Sequence, residues 1–132
     1  MSQENVELIR RAYEHLRATR EPLAEVLHPD VVWEMSTYRG AILPGTYFGV
    51  EGVREFLGTW TEPFEDWSVQ IDEIFDAGDR VLTIGTQRGK PHDGPEVEMH
   101  FGQLWSFRDG LVSRMEMYAT REEALEAAGL RE

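Results

Sequence analysis

Few groups that could do chemistry fall where a buried site could form, and Gln103 stands out among them. It interrupts an apolar alternation, Val97, Met99, Phe101, Gln103, Trp105, Phe107. A buried amide must find a hydrogen bond or costs about 1–3 kcal/mol. An amide does not titrate, so Gln103 could orient or polarise a ligand carbonyl or hydroxyl but not act as a base. The plainer alternative is a bond to a neighbouring strand or to Tyr13. The histidines are His15, His28, His92 and His100, and none forms a metal-like pair at close spacing. His15 falls on an exposed helix position, His28 at a helix end and His92 in a turn. His100 faces outward by alternation. One bulge would reverse that, and His100 beside Glu98 or Glu116 would then make an acid–base pair. The chain has no cysteine, so thiolate chemistry, disulfides and zinc–thiolate sites are excluded. No metal or cofactor is expected.

The element carrying Gln103 must be a strand, because side chains that alternate in polarity every residue belong to opposite faces. Asp109-Gly110 follows, a strong two-residue hairpin signal. The chain returns with Leu111, Ser113, Met115 and Met117 on one side and Val112, Arg114, Glu116 and Tyr118 on the other. Upstream, Ser2 to about Ala18 has helical spacing in Val6, Ile9, Tyr13 and Leu16, with Ser2 available as a cap. A break near Thr19 to Pro22 precedes a short second helix with Leu23, Val26 and Leu27 inward, ended by His28-Pro29-Asp30. Val31 to Met35 reads as a strand. Ser36 to Gly49 reads as a Gly/Pro/aromatic loop, long enough to serve as a lid or flap. A third helix runs from about Val50 to Thr61, with Val53, Phe56, Leu57 and Trp60 inward. Trp67–Phe75 and Arg80–Arg88 pair as a hairpin through Ala77-Gly78-Asp79. Thr120-Arg121-Glu122-Glu123 is a capping box opening a last helix that Gly129 ends.

Helices grouped before an antiparallel run imply an α+β fold. The expected architecture is a curved antiparallel or mixed sheet wrapped over three helices from the N-terminal half, with a short C-terminal helix. At 132 residues, one domain spanning residues 1–132 is expected. Lys and Arg total 13 against 25 Asp and Glu, a net charge of −12. That field repels phosphate backbones, so neither nucleic acid nor an anionic membrane surface is an expected partner. No signal peptide or membrane span is read, and the absence of cysteine suits the cytoplasm.

Several stretches together resemble the SnoaL-like branch of the nuclear-transport-factor-2-like superfamily. They are Arg11-Ala12-Tyr13-Glu14, His28 through Glu34, Tyr47 through Phe56, Asp76 through Val81, Leu104 through Gly110 and Arg121 through Leu130. The resemblance implies a cone-shaped α+β barrel, related to ketosteroid isomerase, scytalone dehydratase and limonene epoxide hydrolase. The family's catalytic positions are largely missing. The ketosteroid isomerase base corresponds to Met35, its second acid falls near Gln103, and its oxyanion Tyr falls near Ala12 or Tyr13. The hydrolase Asp on the last strand corresponds to Met117. The expected ligand pocket is lined by Tyr13, Trp33, Met35, Phe56, Trp60, Met99, Phe101, Gln103, Trp105, Met115 and Met117. Gln103, Tyr13 and His100 are the candidate catalytic residues. The resemblance also implies a homodimer through the outer sheet face, where Arg114, Glu116 and Tyr118 lie. The expected function is binding of a compact, mostly apolar organic molecule in the cone, with cofactor-independent isomerase, cyclase, dehydratase or hydrolase chemistry. The alternative is a non-catalytic dimeric scaffold or ligand sensor.

Overall fold

The computed structural model describes residues 2–38 and 45–130. The side chain of Ser2, read as a helix cap, and residues 39–44 of the expected loop lie outside that description. The first helix, α1 (Ser2–Thr19), buries Ile9 and Tyr13 with Val6, Ala12 and Leu16 beside them. This is the stripe its spacing predicted. It stops where Arg20 takes a positive φ of 64° and Pro22 follows. The guanidinium of Arg20 donates to the carbonyls of Thr61 at 3.2 Å, Phe64 at 2.7 Å and Glu65 at 3.0 Å. One side chain thus ties the end of α1 to the end of one element and the start of the next.

The expected second helix is only a 3-10 turn, Ala24–Val26. Strand β1 (Leu27–Glu34) begins directly after it and includes the His28-Pro29-Asp30 stretch read as a helix end. Pro29 cannot donate to a ladder, and the register against the neighbouring strand shifts between Leu27 and Val32. Part of the expected loop is a short edge strand, β2 (Thr46–Phe48). The helix α2 (Gly49–Thr61) buries Val53, Phe56 and Leu57. Four longer strands complete the sheet: β3 (Phe64–Asp76), β4 (Arg80–Pro91), β5 (Val97–Arg108) and β6 (Leu111–Tyr118). The hairpin between the last two turns through Asp109 and Gly110, both at positive φ, as a type I′ turn requires.

The strand order is β2-β1-β6-β5-β4-β3. β1 runs parallel to β6, and every other pair is antiparallel. Helix α1 and α2 cover one face. There Ile9, Tyr13, Trp33, Met35, Val53, Phe56, Phe101, Trp105, Met115 and Met117 form one cluster. The parity assigned to β5 and to Met115 and Met117 is therefore observed, and that apolar row looks inward. It fails at the start of β6: the pairing shifts between Ser106 and Phe107, and Val112, expected on the other side with Arg114, is buried in the inner cluster in place of Leu111 and Ser113. The apolar row of β5 runs out at one end, where Val97 is 44% exposed and Met99 only half-buried.

The opposite face carries a second, smaller cluster. Leu82, Ile84 and Leu104 pack against Ala124, Leu125 and Ala128 of the last helix, α3 (Arg121–Ala127). Thr120 caps it by accepting from the Glu123 N–H at 3.1 Å. Its close seat on the sheet depends on Gly102, where an added Cβ would stand 2.4 Å from the Ala124 Cβ. Helix atoms cannot swing aside as a flexible side-chain end can. Gly102→Ala is therefore expected to push α3 off the sheet and cost about 1–3 kcal/mol as overpacking. Urea unfolding reads that loss, and hydrogen exchange reads whether it concentrates in α3. An unchanged midpoint would show that the helix is not held this tightly.

Candidate functional site

A string of hydrogen bonds crosses the inner face. Tyr13 on α1 donates its hydroxyl proton to the Gln103 carbonyl on β5 through a short bond. The Tyr13 oxygen also lies 2.9 Å from Thr83 Oγ1 on β4. With the phenol proton already given to Gln103, Thr83 must be the donor there. Thr83 in turn accepts from the Trp105 indole N–H at 3.0 Å. The order is Trp105, Thr83, Tyr13, Gln103, each group giving one proton onward. Thr83 and Gln103 are cross-strand partners, so the ladder itself sets them side by side. Burial pushes the Tyr13 phenol well above its usual value, only partly offset by the Thr83 bond. Tyr13 is thus held protonated. The amide end of Gln103 has a weaker partner, Met117 Sδ at 3.9 Å.

Two clefts flank this string. The first, about 40 Å3, is walled by Ala12, Tyr13, Leu16, Pro22, Leu23, Val26, Leu27, Trp33, Leu57, Gln103, Trp105 and Val112. The second, about 30 Å3, is walled by Tyr13, Leu16, Trp33, Phe56, Leu57, Trp60, Trp67, Val69, Gln87, Phe101, Gln103 and Met117. Among the described residues, neither wall carries a carboxylate, histidine, lysine or arginine. At roughly 10–15 Å3 per water, each has room for two or three waters. Together they fall well short of the ~150 Å3 that admits benzene elsewhere. Between them runs a train of ring contacts: Tyr13 to Trp105 at 6.1 Å, Trp105 to Trp33 at 5.6 Å, Trp33 to Phe56 at 6.4 Å and Phe56 to Trp60 at 5.3 Å.

Most expected pocket residues meet at these clefts. Met35 and Met115 are instead fully buried packing, and with Met99 they wall neither cleft. Thr83, Trp67, Val69 and Gln87 are not among the residues the sequence singles out. The signal for Thr83 and Gln87 is present in the alternation Val81, Thr83, Gly85, Gln87, masked by the apolar Leu82 and Ile84 between them. Those two belong to the opposite face, under α3.

His100 points outward. Pairing of β4 with β5 is continuous from Arg80 to Gly89, so no bulge reverses it. Its Nδ1 lies 3.2 Å from Thr86 Oγ1 and its Nε2 3.5 Å from Glu98, and the side chain is 70% exposed. The inward acid–base pair does not form. His28 lies in β1, 3.0 Å from the Arg108 guanidinium. His15 is half-buried rather than exposed. His92 stands 3.3 Å from the Glu62 carbonyl. Among the described residues, no group of three or more His, Cys, Asp or Glu is placed to hold a metal ion, and no helix is long and apolar enough to cross a membrane.

The carboxylates whose protonation is perturbed sit on the outer face. Burial would push Glu34 up, but bonds from Ser36 and Thr46 and the Arg114 charge outweigh it and hold it below its usual range. Asp72 behaves likewise through Thr86, Gln70, His100 and Arg88. For Glu73 the bond from Arg121 dominates and lowers it. A carboxyl lowered in the folded state stabilises above its unfolded pKa, about 4, and that share is lost as pH falls through the folded value. Urea midpoints are therefore expected to hold down to about pH 5 and fall below about pH 4. Thr86→Val and Arg121→Met should each flatten part of that slope. A midpoint flat to pH 3 would contradict it.

A family model described as a SnoaL-like domain matches residues 9–115. The chain belongs to the SnoaL-like domain family. No curated protein sequence matches it. Among solved structures it is similar to TerC co-crystallised with polyporic acid, with 29% identity, a TM-score of 0.74, and 96% of this chain and 98% of that one covered. It is similar to an NTF2-like protein of unknown function from Burkholderia pseudomallei, at 26% identity and TM-score 0.73, over 93% and 95% of the two chains. It also shares its fold with an LEH-like epoxide hydrolase from M. tuberculosis, at 16% identity and TM-score 0.69, over 96% and 90%. This SnoaL-like chain thus has the α+β fold its sequence implied, with two helices and a 3-10 turn ahead of the long strands.

Proposed function

We propose that this SnoaL-like protein binds a compact, mostly apolar organic molecule inside its cone, orienting it by hydrogen bonds rather than by charge. The observation that carries this reading is the string Trp105, Thr83, Tyr13, Gln103 set in walls that hold no ionised group among the described residues. Such walls suit polarisation and positioning of a substrate oxygen. They do not suit proton abstraction, since Tyr13 is held protonated and Gln103 does not titrate. Any turnover would be a cofactor-independent isomerisation, cyclisation, dehydration or hydrolysis driven by proximity and polarisation. The co-crystal of TerC with polyporic acid supports an organic ligand for this fold. Because each cleft is only water-sized as it stands, the ring train must part for a ligand to enter. A thermal-shift panel of terpenoid, steroid and polyketide-like compounds tests the reading. A ligand at 100 times its Kd adds about 2.7 kcal/mol, on the order of 8 °C for a domain this size. Uniformly null shifts would sink it.

The small clefts favour a second reading, a non-catalytic module that uses its packed cone as a scaffold. It would pair with a second copy through the outer face. There Arg114 bridges Glu116 at 3.1 Å and Glu34 at 3.5 Å. Sedimentation at micromolar concentration tests this, and a monomer with null thermal shifts would leave neither reading standing.

A further inference from the structure

The four tryptophans divide into two kinds. Trp60 donates its indole N–H to Gln87 Oε1 at 2.7 Å, and Trp105 donates to Thr83. The indole N–H groups of Trp33 and Trp67 are buried with no acceptor among the described residues. An orphaned buried donor forfeits its hydration with no return. Two of them in one small region need a reason. Both residues wall the second cleft, and so does Gln103, whose amide N–H finds only a thioether sulfur. The two amide carbonyls on that wall each already accept one proton. The Gln103 carbonyl takes the Tyr13 proton, and the Gln87 carbonyl takes the Trp60 proton. The groups of the cleft that lack a strong partner are therefore donors, while each amide carbonyl keeps only its second lone pair.

That imbalance specifies a partner. A hydroxyl or amine would bring further donors to a wall already rich in them, where a carbonyl oxygen offers two lone pairs and adds no proton of its own. A hydrocarbon would leave the orphans as they are. A full negative charge would need a cation to repay its desolvation in apolar surroundings, and among the described residues the wall carries none. What remains is a neutral oxygen with free lone pairs. Resting on the reading that the cone takes an organic molecule, we propose that the second cleft is a subsite for a neutral carbonyl oxygen. Its donors are the indole N–H groups of Trp33 and Trp67 and the amide N–H of Gln103.

The test compares acetophenone with ethylbenzene, which differ by one carbonyl in place of a methylene. Spectra of the 15N-labelled full chain resolve the four indole N–H groups separately. Relative to saturating ethylbenzene, whose ring shifts are similar, saturating acetophenone should move the Trp33 and Trp67 signals downfield and leave those of Trp60 and Trp105 in place. It should bind roughly tenfold more tightly than ethylbenzene, as one or two neutral hydrogen bonds allow. Trp67→Phe should cut that preference while keeping ethylbenzene binding, since a phenyl ring still lines the wall and the donor is lost. Equal affinity for the two compounds, or indole signals that do not separate into these pairs, overturns the subsite and leaves the cone-binding reading intact. Indole N–H groups that show contact with bound water which acetophenone fails to displace also overturn it. So does silence toward acetophenone when steroid or terpenoid compounds bind. Silence toward acetophenone, ethylbenzene and the whole panel overturns the subsite and the binding reading together.

Discussion

Trp105→Ala should cost about 3–5 kcal/mol, as truncation of a large buried aromatic does. Against a typical domain stability of about 5–15 kcal/mol, that is a large fraction. Three contributions add. The ring is 4% exposed and packs edge-on against both Tyr13 and Trp33. Its N–H supplies the first proton of the string at Thr83. Its removal also leaves a cavity that α1 and the sheet cannot both close on. Trp105→Phe keeps part of the ring packing while deleting the donor and a few ring atoms, so it should cost less, about 1–3 kcal/mol. Urea unfolding followed by circular dichroism gives both numbers without relying on tryptophan emission. A Trp105→Ala loss below about 1 kcal/mol would mean the cone is looser than its clefts indicate. The same variant enlarges the first cleft, which Trp105 helps wall, toward the ~150 Å3 that admits benzene elsewhere. Gain of benzene binding by Trp105→Ala would show that the cone is limited by filling, not by access.

What could be read from the chain and what could not divides along a physical line. Alternation in Val97 to Phe107 fixed which face of β5 is inward, because a strand offers only two faces and one must be apolar. Helical spacing likewise put Tyr13 on the inward face of α1, where it was one of two partners open to Gln103, and the structure shows that bond. It failed where both faces of a strand are buried. In β4, Leu82 and Ile84 serve the α3 cluster while Val81 serves the cone, so the run looked uniformly apolar and concealed Thr83. The seat of α3 was equally hidden, since its cap and Gly129 mark where a helix begins and ends but not what it lies on. The helical reading of residues 22–27 failed for another reason. Leu23, Val26 and Leu27 have helical spacing, yet tertiary pairing of Leu27 with Val112 draws the segment into the sheet after one turn. Tertiary contacts of this kind outweigh a propensity of a few tenths of a kcal/mol per residue. The orphaned donors of Trp33 and Trp67 could not be foreseen at all. Partner counting needs coordinates, and the sequence reports only that four indoles exist.

Gln103→Glu is the sharpest probe of the site because it changes one nitrogen to oxygen and almost no volume. The new carboxyl would sit where Gln103 is 8% exposed, with Tyr13 as donor on one side and Met117 on the other. Burial without a cation raises a carboxyl pKa by several units. The Tyr13 proton favours the charged form and offsets only part of that. The folded pKa should therefore stand at about 6–7 against about 4.3 unfolded. The sign of the linkage follows. A raised folded pKa means the folded state binds more protons, so stability is fully present below about pH 4.3 and is lost as pH climbs through the folded value. Each tenfold difference in proton affinity between the two states is worth about 1.4 kcal/mol. The variant should accordingly be close to native stability at about pH 4 and about 3 kcal/mol weaker at about pH 8. The parent chain runs the other way, because its lowered outer carboxylates weaken it in acid. The difference between the two pH profiles, taken from urea midpoints, isolates position 103. A Gln103→Glu profile parallel to the parent's would place that side chain in contact with water. The hydrogen-bonded string would then be a wet surface, not the interior of the cone, and both the oriented-ligand reading and the donor-lined subsite would lose their physical basis.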